Sequence, residues 1–300
     1  MNQFKAWAKF LITGEYLILH GAKGLALPLS QYFQELKVTP NNNHFFSWKA
    51  FDEKNSLWFE ANFETSSLQL IDSSDQIVAL KISEMLSYLK KLRPNLFKIA
   101  LQFETHMNFS RHWGLGSSST LVSLLAQWSQ TDAFHLQKMF FGGSGYDVAC
   151  ATANSPLIYE LQNNRPQITP VRWSPVFKNN LFFLYQGQKQ DTREALVEFH
   201  KKNPSPFQQD LQQVNRLTQN FLMASNLTDF MLYMKEHENL ISQITGQKRI
   251  KDKYFSDFDG EMKSLGAWGG DFILVASIDN PRDYFINKGY TVLKNWNELI

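Results

Sequence analysis

Hydrophobic and polar residues alternate along much of the first 75 residues, a pattern typical of β-strands buried on one face. The runs that show it best lie at 33–38, 45–51, 58–63 and 67–71. From Asp75 onward the apolar residues instead recur every three or four positions, which predicts an amphipathic helix. Asp75 is suited to cap its start, and the pair Arg93-Pro94 is suited to end it.

The rest of the chain adds strands and helices in mixed order. Strands are predicted over 97–103, 181–185, 272–278 and 290–293, and helices over 121–128, 207–223 and 228–244. Asp191 and Glu194 have the spacing of a capping box at another helix start. Because strands lead the first half and helices are interspersed throughout, we predict an α+β fold in two domains.

Four prolines punctuate the middle of the chain, at Pro156, Pro166, Pro170 and Pro175. Such spacing is typical of a junction between domains. We therefore predict one domain over 1–170 and a second over 171–300, which agrees with the number of domains expected for this length.

The composition is typical of a globular protein and gives no sign of a nucleic-acid or membrane partner. Of its 300 residues 43% are hydrophobic and 14% aromatic, and the formal net charge is only +2. That balance lacks the basic field of a nucleic-acid-binding protein, and no apolar run is long enough to cross a membrane. The single cysteine, Cys150, excludes an intrachain disulfide and favours a reducing, cytoplasmic location.

A segment of glycine and serine comes directly before the predicted helix at 121–128. Its residues are Gly114, Leu115, Gly116, Ser117, Ser118 and Ser119. Small residues let the backbone approach a ligand closely, and the N–H groups at a helix start form an anion cradle with the positive end of the helix dipole. No Gly-Lys-Ser/Thr sequence follows, so this is not the phosphate loop of the P-loop proteins. Taken alone, the segment favours an ordinary serine cap after a flexible turn.

Two further glycine-rich segments follow. One spans 142–145 and leads into Asp147, whose carboxylate can either cap a helix or accept a proton from a substrate hydroxyl. The other spans 266–271 and precedes the predicted strand at 272–278. Each segment by itself is also typical of a turn, but the three segments in this order would rarely arise by chance.

In combination and order, these segments resemble the motifs of the GHMP kinases, a family named for galactokinase, homoserine kinase, mevalonate kinase and phosphomevalonate kinase. The family's first motif resembles Ala-Lys-Phe-Leu-Ile-Thr-Gly-Glu-Tyr at 8–16, running on to Gly21. Its second and third motifs resemble 114–119 and 266–271. The motifs are most similar to those of phosphomevalonate and mevalonate kinases, and Gly-Tyr-Asp-Val-Ala at 145–149 also resembles the signature of a bacterial GYDIA-type subgroup.

The resemblance implies a fold and an activity. The N-terminal domain would be like ribosomal protein S5 domain 2 and would bind the nucleotide, and the C-terminal domain would be ferredoxin-like. The activity would be ATP-dependent and Mg²⁺-dependent phosphorylation of a small molecule, an isoprenoid precursor such as mevalonate or phosphomevalonate. The oligomeric state, monomer or homodimer, stays open.

The resemblance also implies roles for individual residues. ATP would lie with its phosphates over 114–119, where Ser118 would ligate Mg²⁺. Asp147 would be the catalytic aspartate, and Lys9 would pair with it. Residues at the acceptor would be Glu15, Tyr16, His20, Gly145 and Thr192. The third motif would contribute a glycine loop made of Gly266, Ala267, Gly269 and Gly270.

Three departures from the family's pattern keep other functions open. Leu136 stands where many members have a glutamate ligand to Mg²⁺, with Gln137 beside it as a ligand through water. Trp268 stands where the family has glycine, and Ala-Trp-Ala at 6–8 replaces a Pro-Gly pair. A homologue that binds a nucleotide or metabolite without turnover is one alternative. A kinase for a sugar or an amino alcohol is another, and for a phosphorylated acceptor the candidate basic residues are Arg111, Lys189 and Arg193.

Overall fold

The computed structural model describes residues 2–187, 208–266 and 271–300, and its chain divides into two compact units. The first unit contains Met1–Ala8, Tyr32–Arg111 and Gly116–Thr152. The second contains Lys9–Gln31, His112–Leu115 and Ala153–Ile300. The predicted division of the chain at residue 170 stays a prediction.

The first unit contains a sheet with strand order β5–β4–β3–β6–β2. Its strands are β3 (Phe45–Phe51), β4 (Leu57–Glu64), β5 (Leu70–Ser73), β6 (Leu101–Met107) and the later part of β2 (Gly24–Pro40). β3 and β6 run parallel, whereas the other neighbours in this order are antiparallel. Its helices are α1 (Gln76–Leu92), α2 (Ser117–Ser129), α3 (Ala133–Phe140) and α4 (Tyr146–Ala151). A 3₁₀ turn, Pro94–Phe97, follows α1.

Aromatic side chains fill much of the core of this unit. Trp48 stacks on Phe103 with ring centroids 5.2 Å apart, and Trp128 of α2 meets the same phenyl ring edge-on at 5.0 Å. Stacked and edge-on arrangements of this kind add to the free energy gained by burying the apolar area. The packing therefore joins α2, which follows the second glycine motif, firmly to the sheet.

Helix α1 confirms the prediction made from apolar spacing. The Asp75 carboxylate accepts hydrogen bonds from the backbone N–H groups of Ile77 and Val78 at 3.0 and 3.1 Å, so it caps the helix as expected. The helix ends at Leu92, before the Arg93-Pro94 pair. Its buried face consists of Ala79, Ile82, Met85, Leu86 and Leu89. Ile77 and Leu80 share the apolar spacing but are exposed, which the spacing alone did not predict.

The second unit contains the last residues of the first strand together with the remaining strands and helices. β1 (Asn2–Leu11) pairs with β2, and the start of β2 pairs with the hairpin of β7 (Leu157–Gln162) and β8 (Arg165–Pro170). A second sheet has the order β10–β11–β9–β12 and is antiparallel throughout. Its strands are β9 (Leu181–Tyr185), β10 (Glu261–Ser264), β11 (Phe272–Ala276) and β12 (Leu293–Asn295).

The helices of the second unit include two long ones, α5 (Gln208–Met223) and α6 (Leu227–Thr245). Three shorter helices are α7 (Ile250–Tyr254), α8 (Arg282–Asn287) and α9 (Trp296–Leu299). The 3₁₀ turns of this unit are Leu17–His20, which follows β1, and Lys178–Asn180. An apolar cluster joins the first of these turns to α5 and α6 through Leu17, Leu217 and Leu240.

The bounds of two predicted strands are wrong. The strand predicted over 97–103 begins only at Leu101, because Phe97 ends a 3₁₀ turn. The strand predicted over 290–293 begins at Leu293, its last residue. The stretch containing Pro166 and Pro170 forms strand β8, which tolerates proline because β8 lies at the end of the strand order. The capping box of Asp191 and Glu194 lies outside the described residues.

The mixture of sheets and helices confirms the predicted α+β class. Within the part of the chain that the structure describes, no helix combines the length and apolar character needed to span a bilayer. The names of the two domains, S5 domain 2-like and ferredoxin-like, stay predictions.

Candidate functional site

The second glycine motif ends at the start of α2, as the sequence predicted. Gly116 is the N-cap residue of α2, with φ 95° and ψ 38°, in the left-handed region that suits glycine. A glycine cap brings no side-chain oxygen to the N–H groups of the first helical turn. These donors and the helix dipole can therefore act on an anion that approaches Ser117 and Ser118.

The hydroxyl groups of this turn differ in what they are able to do. The Ser119 hydroxyl donates to the Gly116 carbonyl at 2.8 Å and is buried. The Thr120 hydroxyl, also buried, donates to Gln34 Oε1 at 2.6 Å. By contrast, Ser118 is exposed. Of the serines at 117–119, Ser118 is therefore best suited to meet a phosphate oxygen or its metal ion.

Asp147 lies on α4, the helix that follows the glycine-rich segment at 142–145. Gly145 caps this helix with φ 89°, and Asp147 is half-buried in its first turn. Helices α2 and α4 pack against each other in the first unit. The structure therefore brings together the helix that begins with Ser117 and the helix that carries the predicted catalytic aspartate.

Leu136, which stands at the position of the missing glutamate, is part of the hydrophobic core. Leu136 is 3% exposed and belongs to the main apolar cluster of the first unit. The next side chain, Gln137, donates through Nε2 to the Gly142 carbonyl at 3.1 Å, and its backbone carbonyl accepts from the N–H of Gly142 at 2.8 Å. Among the described residues Gln137 Oε1 has no hydrogen-bond partner. Gln137 therefore supports the turn that leads to Asp147, and its role as a metal ligand through water stays a prediction.

Within the second unit, Lys9 contacts Gly114 and Leu115, the first two residues of the second glycine motif. The Lys9 backbone N–H donates to the Leu115 carbonyl at 3.1 Å, and its ammonium donates to the Gly114 carbonyl at 3.5 Å. Gly114 has φ 63°, and a Cβ added to it would overlap with the carboxylate of Asp271. The second motif and the last residue of the third motif are thus in direct contact. The pairing of Lys9 with Asp147 stays a prediction.

The first motif ends in a tight, buried turn. Gly14 has φ 90°, and a Cβ there would lie 2.9 Å from the Cα of Gly24, so only glycine fits. Glu15 is 2% exposed, and Tyr16 is 5% exposed with φ 63°. His20 is half-buried at the end of the 3₁₀ turn that follows.

Glu15 belongs to a buried cluster of ionisable side chains that the sequence did not predict. Its carboxylate accepts a short hydrogen bond from the Lys263 ammonium on β10, and both side chains are almost wholly buried. His237 and Glu238 of α6, both 0% exposed, complete the cluster. His237 Nε2 lies 3.4 Å from Glu15 Oε2, and Glu238 Oε1 accepts from the Ser264 N–H at 3.1 Å.

Burial governs the protonation of this cluster. It raises the pKa of Glu15, an effect that the Lys263 ammonium partly offsets. It raises the pKa of Glu238 to about 8, so that this carboxyl group is largely protonated at neutral pH. It lowers the pKa of His237 well below 6.5. His237 Nε2 also accepts a hydrogen bond from the Gly14 N–H at 3.3 Å, which agrees with a neutral imidazole.

No signal in the sequence could have joined these residues. His237 and Glu238 lie in a helix with many polar residues, and Lys263 lies in a short strand that begins with a glutamate. Lys263 and Glu15 are separated by 248 positions. Only the fold brings them together.

Several predicted site residues lie outside the described residues: Thr192, Ala267, Gly269 and Gly270, together with Trp268, Lys189 and Arg193. Gly266 is described and has φ 73°. Arg111 is exposed, and its guanidinium lies 4.6 Å from the centre of the Trp58 ring.

A metal ion at this site would need oxygen ligands from a bound nucleotide as well as from the protein. In the described ranges, no group of three histidine, cysteine, aspartate or glutamate side chains could hold one. Mg²⁺ is usually bound through one or two protein oxygen ligands plus substrate phosphates. The exposed Ser118 hydroxyl and the half-buried Asp147 carboxylate are oxygen donors of that kind, so the residues present fit Mg²⁺ bound together with a nucleotide.

Comparisons with known proteins reveal similarity in structure rather than in sequence. No protein-family model matches the chain, and no curated protein matches its sequence. Streptococcus pneumoniae phosphomevalonate kinase, solved in complex with phosphomevalonate and AMPPNP, superposes with a TM-score of 0.71 at 14% identity, covering 98% of this chain and 100% of that one.

Two further solved structures show the same similarity. L. major mevalonate kinase in complex with R-mevalonate has a TM-score of 0.64 at 15% identity, covering 98% of this chain and 95% of that one. Lactococcus lactis galactokinase complexed with galactose has a TM-score of 0.64 at 12% identity, covering 98% and 92%. The chain therefore has the fold of the GHMP kinases, as the resemblance of its motifs implied.

Proposed function

We propose that this protein is an ATP-dependent phosphotransferase whose acceptor is an isoprenoid precursor, mevalonate or phosphomevalonate. The observation that carries the proposal is the packing of α2, with its glycine cap, against α4, which carries Asp147, in a chain with a kinase fold. An anion cradle and a carboxylate on adjoining helices are the two groups that phosphoryl transfer to a hydroxyl requires.

The nucleotide would bind at the second glycine motif. The N–H groups of the first turn of α2 would meet the triphosphate, whose charge the helix dipole also stabilises. Gly114 and Gly116 both have positive φ, so the loop keeps its backbone close to the phosphates without a side chain in the way. Mg²⁺, held by the phosphates and Ser118, would supply positive charge beside the transferred group.

The acceptor hydroxyl would be activated by Asp147. Its carboxylate would take the hydroxyl proton as the new bond forms between the acceptor oxygen and the γ-phosphorus, while the bond to the β-phosphate oxygen breaks and ADP leaves. For a phosphorylated acceptor, Asp147 would orient the attacking phosphate oxygen. Lys9, whose ammonium contacts the Gly114 carbonyl, would add positive charge at the phosphates.

Two arguments support an isoprenoid acceptor. The motifs of the chain are most similar to those of phosphomevalonate and mevalonate kinases, and the solved neighbours include one with phosphomevalonate and one with R-mevalonate. By the resemblance of the motifs, the acceptor residues would be Glu15, Tyr16, His20, Gly145 and Thr192. Cys150 is buried, and a single cysteine, which forms no intrachain disulfide, agrees with a reducing cytoplasm.

The experiment is an ADP-release assay with ATP, Mg²⁺ and a panel of acceptors that contains mevalonate, phosphomevalonate, galactose and an amino alcohol. We expect turnover with one of the two isoprenoid acceptors. Asp147→Asn should lower that turnover by about 10²- to 10⁴-fold, the usual loss when a general base is removed. Asp132→Asn is the matched control, because Asp132 caps α3 and asparagine caps a helix equally well.

A second candidate function is favoured by Leu136, which is committed to the core where related kinases would have a metal ligand. It is a protein that binds a nucleotide without turnover. Thermal stabilisation by ATP with no ADP release on any acceptor would support this candidate. Turnover on galactose or the amino alcohol alone would instead support the kinase activity but contradict the isoprenoid acceptor. Wild-type turnover by Asp147→Asn would contradict the assignment of the catalytic residue.

A further inference from the structure

The segment that the proposed function places at the acceptor contains a strained turn. The Leu17 N–H donates to the Glu15 carbonyl at 2.7 Å across Tyr16, which has φ 63° and ψ −48°. This is a γ-turn of the positive-φ kind, which is rare and strained for a residue with a side chain. Such a conformation persists only where the surrounding structure enforces it.

Three contacts enforce this turn. Ahead of it, the Gly14 N–H donates to His237 Nε2 at 3.3 Å. After it, the Tyr16 side chain packs in the apolar cluster formed with α5 and α6. Between them, the Glu15 carboxylate is bound to the Lys263 ammonium. Of the three, only the contact with Lys263 joins opposite charges, and it lies where both side chains are at most 2% exposed.

Among the described ion pairs, the partner of Lys263 is Glu15, and the lysine charge also lowers the pKa of the neighbouring Glu238 carboxyl group. The Lys263 ammonium donates to the Glu15 carboxylate and to the Ser264 carbonyl at 3.0 Å, and the lysine side chain is 0% exposed. Burying a lysine costs free energy through desolvation, which a close partner must offset. Here the partner is the residue next to Tyr16, so the ion pair acts on the strained turn.

We propose that Lys263 is a positioning residue for the phosphoryl acceptor: through Glu15 it holds the turn at Tyr16, and so places Tyr16 and His20 without touching the acceptor itself. The inference rests on the proposed function. The Lys263 side chain therefore joins the first motif to β10, the strand that comes shortly before the third motif.

The test compares Lys263→Met with the double variant Glu15→Gln/Lys263→Met. The single variant leaves a buried carboxylate without its counter-charge and can fail to fold for that reason alone. The double variant removes both charges, so it should fold while still lacking the ionic anchor. Met262→Ala is the matched control, because it also disturbs β10 but packs in a different apolar cluster.

We expect the double variant to raise KM for the acceptor by at least about tenfold, since small misplacements of binding groups have effects of that size, while KM for ATP stays within about twofold. Met262→Ala should lower thermal stability without raising KM for the acceptor relative to KM for ATP. A double variant that folds and keeps the wild-type acceptor KM would overturn the inference.

A second measurement separates this inference from the proposed function. Hydrogen exchange of the Leu17 and Ile18 amides, without any substrate, should be at least about tenfold faster in the double variant than in Met262→Ala, because local opening governs the exchange. Unchanged exchange would overturn the role of Lys263 whether or not the protein is a kinase. Absence of turnover by the wild-type protein on every acceptor would instead contradict the proposed function.

Discussion

The carboxylate of Asp271 occupies the space that a side chain on Gly114 would need. The two residues belong to the second and third glycine motifs, and both have positive φ, 63° for Gly114 and 38° for Asp271. The contact explains why glycine is required at 114 on two independent grounds, the backbone conformation and the close approach of another chain segment.

Gly114→Ala should therefore be more costly than a change at a glycine that has open space around it. We expect a loss of at least about 2 kcal/mol in the free energy of unfolding, from the left-handed backbone and the overlap together. Under the proposed function, KM for ATP should rise as well. Chemical denaturation and the ADP-release assay measure the two effects.

Gly142→Ala is the control for this prediction, because Gly142 has φ 70° but nothing within 4 Å of an added Cβ. It should show only the backbone cost, about 1 kcal/mol. Adding Asp271→Gly to Gly114→Ala should recover the part of the lost unfolding free energy that is due to the overlap between the two side chains. Equal losses for Gly114→Ala and Gly142→Ala would contradict the steric argument.

Restoring a glutamate at position 136 should not restore a metal ligand. Because Leu136 is in the core of the first unit, Leu136→Glu would bury a carboxylate without a partner. We expect a loss of about 3 kcal/mol or more in the free energy of unfolding, with no gain in Mg²⁺ affinity. Urea denaturation and a Mg²⁺ titration measure the two quantities.

Met139→Glu, on the same helix, is the matched control, since Met139 is 49% exposed. It should change the stability by no more than about 0.5 kcal/mol. If Leu136→Glu kept wild-type stability and bound Mg²⁺ more tightly, the side chain at 136 would have to reach the nucleotide site after all.

The stability of the protein should fall as the pH rises from 6.5 to 8. Glu238 has a pKa of about 8 in the folded protein against 4.5 for a solvated glutamate, so in this range the folded chain holds a proton that the unfolded chain has released. Its contribution is complete below pH 4.5 and is lost as the pH rises toward 8. His237, with its lowered pKa, acts in the opposite sense and only below 6.5. The expected slope is roughly 1 kcal/mol per pH unit.

Glu238→Gln should flatten this dependence, because the amide keeps an acceptor for the Ser264 N–H and does not titrate. The groups that act on Glu238 are Lys263, Glu15 and the N–H groups of Ser264 and Ile250, and this variant leaves all of them in place. Glu236→Gln on the same helix should retain the slope. Urea denaturation at half-unit intervals of pH measures it, and an unchanged slope in Glu238→Gln would assign the proton to another group.

A pair of buried threonines should contribute to the stability of the second unit. Thr13 Oγ1 lies 2.8 Å from Thr218 Oγ1 and accepts from the Leu25 N–H at 3.0 Å, while the Thr218 hydroxyl donates to the Lys23 carbonyl at 3.1 Å. Thr218→Val keeps the shape but leaves polar groups unsatisfied. We expect a loss of about 1–3 kcal/mol in the free energy of unfolding.

Thr228→Val serves as the control, since Thr228 is exposed on α6, and it should change the stability by less than about 0.5 kcal/mol. Thr13→Val and the double variant complete a cycle that measures the coupling between the two hydroxyls. Additive losses from the two single variants would show that the hydroxyls do not act as one network.

Local signals in the sequence were sufficient to predict many of the helices and strands. The cap at Asp75 and the apolar spacing after it predicted α1, and the runs at 45–51 and 181–185 coincide with β3 and β9. The glycines before α2 and α4 were identified as helix starts for the same reason. Caps, glycine conformations and side-chain periodicity act over a few residues, so the order of residues is enough to reveal them.

Contacts between distant segments were decided by the tertiary structure alone. Pro166 and Pro170 were interpreted as part of a junction between domains, which stays a prediction. The tertiary structure places both in β8, an edge strand in which the N–H that proline lacks is not needed. Leu136 could be identified as a departure from a motif, but only the tertiary structure shows that the side chain at 136 packs in the core of the first unit. Lys263 lies in a short strand that the sequence did not predict, and its side chain is fully buried against Glu15. The charge and burial of such residues depend on partners hundreds of positions away, and that information exists only once the chain has folded.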